Sequence, residues 1–70
     1  MTVRELLKVA DEHTNVEIFD EDDHYVTSGY AVNILKCSKP IVKRMVARFE
    51  VCIIYDYPWL QIVLAEEEDV

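Results

Sequence analysis

Two nearly continuous apolar runs, Phe49 to Tyr55 and Trp59 to Ala65, flank Asp56-Tyr57-Pro58 near the end of this chain. The runs have the pattern of strands and the tripeptide is a turn signal, so the pair reads as a C-terminal hairpin. Strands with so little polar alternation are usually buried on both faces. One face then lies under helices of the same chain and the other under a second copy, with Cys52, Ile54, Trp59 and Val63 as the expected dimer interface.

The rest of the chain supplies those helices. Thr2 and Glu5 have the spacing of a capping box, and Val3, Leu6, Leu7 and Ala10 recur on one face of a helix that runs to about His13. Val16 to Phe19 alternates as a strand, Asp20 to Asp23 is a turn, and Tyr25 to Leu35 continues as a longer extended run. Gly29, the single glycine, falls inside that run and suggests a bulge or a close backbone approach. Ser38-Lys39-Pro40 has helix-start chemistry, and Ile41, Val42 and Met45 give about two turns an apolar face. The expected architecture is a single α+β domain over residues 1–65 in the order α-β-β-α-β-β, followed by an acidic tail, 66–70. Its sheet is four-stranded and mainly antiparallel, with the helices on one face.

Charge is sorted along the sequence. Residues 1–23 sum to −6, residues 24–48 carry five bases and no acid, and residues 49–70 sum to −6, giving −7 for the 70 residues. Two clusters dominate: Asp20-Glu21-Asp22-Asp23 and Glu66-Glu67-Glu68-Asp69. Such a chain repels nucleic acid and anionic membrane and attracts basic protein surfaces. Half of the residues are apolar and only one is glycine, a folded rather than a disordered composition. Cys37 and Cys52 have neither CxxC spacing nor further Cys or His around them, so they read as free buried thiols of a cytoplasmic protein. No apolar run approaches the roughly 20 residues of a membrane span.

Candidate chemistry is sparse. Asp20, Asp22 and His24 alternate in a turn, but the sixth and twelfth positions of a calcium loop counted from Asp20 are Tyr25 and Ala31, where Gly and Glu are needed. His13 and His24 have neighbouring carboxylates but no nucleophile or phosphate loop, so neither a metal, a cofactor nor catalysis is expected. The basic block Lys36, Lys39, Lys43, Arg44 and Arg48 reads as a small nucleic-acid footprint, as a solvated second helix, or as an electrostatic seam facing an acidic surface of another copy, and net charge favours the last two over the first. Tyr57, at the hairpin turn, is the candidate aromatic anchor.

Thr2-Val3-Arg4-Glu5-Leu6-Leu7, followed by Val16-Glu17-Ile18-Phe19-Asp20-Glu21-Asp22, resembles the start of many short uncharacterised proteins of prophages and mobile elements in Gram-positive bacteria, over about the first 30 residues. The resemblance implies a mobile-element context, in which some small acidic proteins are anti-CRISPR inhibitors. The functional expectation is a non-catalytic protein that docks on a basic, nucleic-acid-binding surface of a host protein or nucleoprotein complex. Asp20, Glu21, Asp22, Asp23, Glu66, Glu67, Glu68 and Asp69 would stand in for phosphates. The alternative is a homo-oligomeric assembly protein of a mobile element.

Overall fold

The computed structural model describes residues 1–66. Helix α1, Val3–Val9, starts at the Thr2–Glu5 capping box: the Glu5 N–H donates to Thr2 Oγ1 (3.2 Å) and the Thr2 N–H to Glu5 Oε1 (2.9 Å). These bonds hold the Glu5 carboxyl below its ordinary pKa, the backbone N–H of Thr2 being the largest cause. The helix stops at Val9, short of His13, because Ala10 is already extended.

Strand β1, Asn15–Phe19, leads through the acidic turn to β2, Tyr25–Tyr30. The extended run expected as far as Leu35 ends at Tyr30, and Ala31–Cys37 is helix α2. Ala31 and Ile34 lie one turn apart and are both buried, and the Thr14 and Glu12 carbonyls accept the Ala31 and Val32 N–H groups that a new helix leaves without partners. Gly29 takes φ +150° and a Cβ there would meet nothing within 4 Å, so backbone conformation rather than close approach explains this glycine. The irregularity in β1·β2 pairing falls between Ile18 and Phe19 instead.

The second expected helix is shorter than its apolar spacing suggests. Helix α3 is the single turn Lys39–Val42, with Pro40 in its first turn, and it is the Ser38 carbonyl rather than the side chain that accepts the Ile41 and Val42 N–H groups. Strand β3 then begins at Val46 and runs to Ile54, and β4 covers Tyr57–Leu64. The turn between them is Tyr55-Asp56, with φ of 49° and 68°, a two-residue hairpin turn of type I′. Tyr57 and Pro58 therefore belong to the strand, not to the turn. Pro58 lies opposite Ile53, one step from the closing pair Ile54–Tyr57, where it owes β3 no N–H.

The sheet order is β2-β1-β4-β3. Two pairings are antiparallel, but β1 and β4 run parallel, so the sheet is mixed. Val16 and Ile18 of β1 and Leu60, Ile62 and Leu64 of β4 alternate onto one face. There they form a single buried cluster with Val3, Leu6, Leu7, Ala31, Ile34 and Val42 from the three helices. No helix among the described residues is long and apolar enough to cross a membrane.

Candidate functional site, an acidic pole

Parallel pairing of β1 with β4 places Phe19 beside Val63, so both strands leave the sheet at the same end. Beyond Phe19 come Asp20 to Asp23, and beyond Leu64 comes the exposed Glu66. Glu66, the first residue of the second acidic cluster, thus comes to the same pole as Asp20 to Asp23, from which most of the sequence separates it. Glu21, Asp23 and Glu66 line an open groove of about 340 Å³ there, with Arg48 at its side. Glu67, Glu68 and Asp69 lie outside the described residues.

Asp20 organises the turn. Its Oδ1 accepts the backbone N–H groups of Asp22 and His24, each at 2.9 Å, while the main chain closes through Asp20 N–H to the His24 carbonyl and Asp23 N–H to the Asp20 carbonyl. Asp23 ends it at φ 63°, a conformation Asp tolerates better than most side chains. The carboxyl of Asp20 is held below the ordinary aspartate value, chiefly by the His24 backbone N–H, with further help from Asp22 N–H and the nearby imidazole. Because the folded value is depressed, its contribution to stability is fully present above the ordinary aspartate pKa of about 3.9 and fades as pH falls through the lower folded value. Asp20→Ala is accordingly expected to be less stable than the parent at neutral pH, with the gap closing in acid below that range; urea midpoints measured across pH 2 to 7 check it.

Two cations of the basic block turn back onto this pole. Arg48 Nη2 donates to Asp23 Oδ1 at 3.2 Å, and Arg44 Nη2 lies 3.6 Å from Glu21 Oε2 and donates to the Ala65 carbonyl at 3.1 Å. The Arg48–Asp23 pair is solvent-exposed and contributes little stability, but Arg44 is largely enclosed and ties the acidic turn to the end of β4. Lys36, Lys39 and Lys43 stay exposed on or beside the short helices. The two arginines thus meet acidic groups of their own chain, whereas the expected seam faced another copy.

The remaining candidates lie elsewhere. Tyr57 is exposed at the opposite end of the sheet, beside the Tyr55-Asp56 turn. Cys52, Ile54, Trp59 and Val63 sit on the face away from the core and are each half-buried. That face is polar along its middle: Cys52 Sγ donates to Gln61 Oε1 and Gln61 Nε2 to Glu17 Oε1, both at 3.1 Å. Ligand atoms of Asp20, Asp22 and His24 come within 4.8 Å of one another, but Asp20 Oδ1 is already bonded to two backbone N–H groups and the trio reads as a self-closed turn. His13 packs edge-on against Tyr30 at 5.3 Å. Phe49, Val51 and Ile53, which alternation puts on the opposite strand face from Cys52 and Ile54, are at least half exposed on β3. The strand is legible in the sequence, but no local pattern says that the helices stop short of it.

Comparison with known protein families, with curated proteins and with solved structures finds no match to this chain.

Proposed function

We propose that this protein is a non-catalytic binding module that docks its acidic pole on a basic protein surface, and that the surface belongs to a complex that handles nucleic acid, where the pole competes with phosphate. Inhibition of such a host complex by a mobile element, the anti-CRISPR type of action, is the specific form the reading takes. The observation that carries it is the parallel β1·β4 pairing, which gathers Asp22, Asp23 and Glu66 at one end of a rigid sheet. A fixed turn keeps the carboxylates oriented before contact, so little ordering remains for binding to do.

The reading separates local arrangement from net charge. Neutralising Asp22, Asp23 and Glu66 and neutralising Asp11, Glu12 and Asp56 at the other end both take the chain from −7 to −4. Against the basic domain of a nucleic-acid-binding protein, the first variant is expected to bind about tenfold more weakly, from three exposed charge contacts at roughly 0.5 kcal/mol each. The second should bind nearly as the parent does. Equal losses for both would reduce the pole to a share of net charge.

A further inference from the structure

We infer that β3 is a self-pairing edge, and that two copies of this chain join through it into one continuous eight-stranded sheet, antiparallel and centred on Val51. This stands independently of what the acidic pole binds.

Strand β3 ends the sheet, so among the described residues one side of its main chain has no strand partner. The two-residue turn at Tyr55-Asp56 makes Ile54–Tyr57 the hydrogen-bonded closing pair. By alternation Ile54, Cys52, Glu50 and Arg48 direct N–H and C=O inward to β4, and Phe49, Val51 and Ile53 direct theirs outward. The side chains of those three are 50%, 67% and 70% exposed, on the core face but beyond the helices. β3 contains no Lys or Pro, and its two charged residues, Arg48 and Glu50, lie on the face away from the core.

The start of the same edge is closed. Val46 N–H donates to the Met1 carbonyl (2.8 Å) and Val3 N–H to the Arg44 carbonyl (3.0 Å), so Met1–Val3 covers it as far as Val46. The open stretch is residues 48–54, beyond the bulge between Val46 and Arg48. An antiparallel pair related by a two-fold axis normal to the sheet uses that stretch in full only when centred on Val51.

In this register Phe49 lies opposite the partner's Ile53 and Val51 opposite the partner's Val51, an unbroken apolar stripe on the core face. Glu50 faces the partner's Cys52, and Arg48 faces the partner's Ile54. Centring on Glu50 would set that carboxylate against its own image, and centring on Phe49 would require the edge that Met1–Val3 already holds. Centring on Cys52 would shorten the ladder and place Ile54 against the partner's Glu50. The strand is thus complementary to itself in one register, which a partner of another sequence would have to match by coincidence. Antiparallel pairing also sends the two acidic poles to opposite ends of the dimer, as far apart as the geometry allows.

Sedimentation equilibrium at micromolar concentration should give twice the 8.2 kDa chain mass. Val51→Lys, at an exposed position that leaves the monomer intact, sets two like charges opposite each other and should weaken the dimer about tenfold or more. With both native cysteines replaced by Ser, Val51→Cys should cross-link to its symmetry mate on oxidation, since opposed hydrogen-bonded positions bring Cα atoms to about 5.5 Å, within disulfide range. A monomer at the native sequence overturns the inference. So does a dimer indifferent to Val51→Lys, which would lie on the face carrying Cys52, Ile54, Trp59 and Val63, and so does a dimer in which Cys52 cross-links readily while Val51→Cys does not.

Discussion

Ile62→Ala is expected to leave this protein substantially unfolded at 37 °C. Ile62 is fully buried at the middle of β4, beside Ile18 on the parallel side and Phe49 on the antiparallel side. Truncating a buried Ile costs about 2–5 kcal/mol, because the transfer energy of the lost carbons adds to the cavity they leave. A chain of this size has about 3.5–10 kcal/mol of net stability in all. Ile62 belongs to the single buried cluster, with Phe49 of β3 as its half-exposed cross-strand neighbour. Ile54→Ala, half-buried on the other face, should cost about 1 kcal/mol by comparison. Urea unfolding monitored by circular dichroism checks both, through a large drop in midpoint for Ile62→Ala with an unchanged slope.

Replacing Tyr55-Asp56 with Asn-Gly is expected to act in the opposite direction and to raise stability by about 1 kcal/mol. Both residues occupy the left-handed region, φ 49° and 68°, and a Cβ there costs roughly 1 kcal/mol or more per residue. Asn and Gly are the pair this turn favours, Asn tolerating positive φ and Gly adopting it freely. Tyr55 is 92% exposed, so almost no burial is given up in the exchange. A raised melting temperature with unchanged β3·β4 amide contacts is the expected measurement; an unchanged or lower one would mean that the tyrosine ring stabilises the hairpin in a way its exposure does not suggest.

The parts of the fold visible in the sequence are those set by neighbours along the chain. The Thr2–Glu5 box, the Val3-Leu6-Leu7 face and the Val16/Ile18 alternation are local patterns, and each forms the element it implies. Ala31–Cys37 was hidden because Val32 and Ile34 also satisfy a two-residue period; what selects helix is the burial of Ala31 and Ile34 together with the Thr14 and Glu12 carbonyls, remote in sequence. Tyr55-Asp56 was hidden because it lacks the Asn or Gly that announces a type I′ turn, so the signal moved onto Pro58. The acidic residues of the pole were legible one by one as charge. Their convergence was not, since it depends on β4 entering the sheet between β1 and β3, a non-local choice that no periodicity encodes.

The gathering of those carboxylates at one pole is most directly tested by mapping backbone amide shifts while the basic domain of a nucleic-acid-binding protein is titrated into the labelled chain at low salt. The largest changes are predicted at residues 20–24 and 64–66, fading as added salt screens contacts over roughly 10 Å at 0.1 M. Shifts centred instead on residues 11–14 and 55–58, or spread evenly over the surface, would contradict the pole as the binding site.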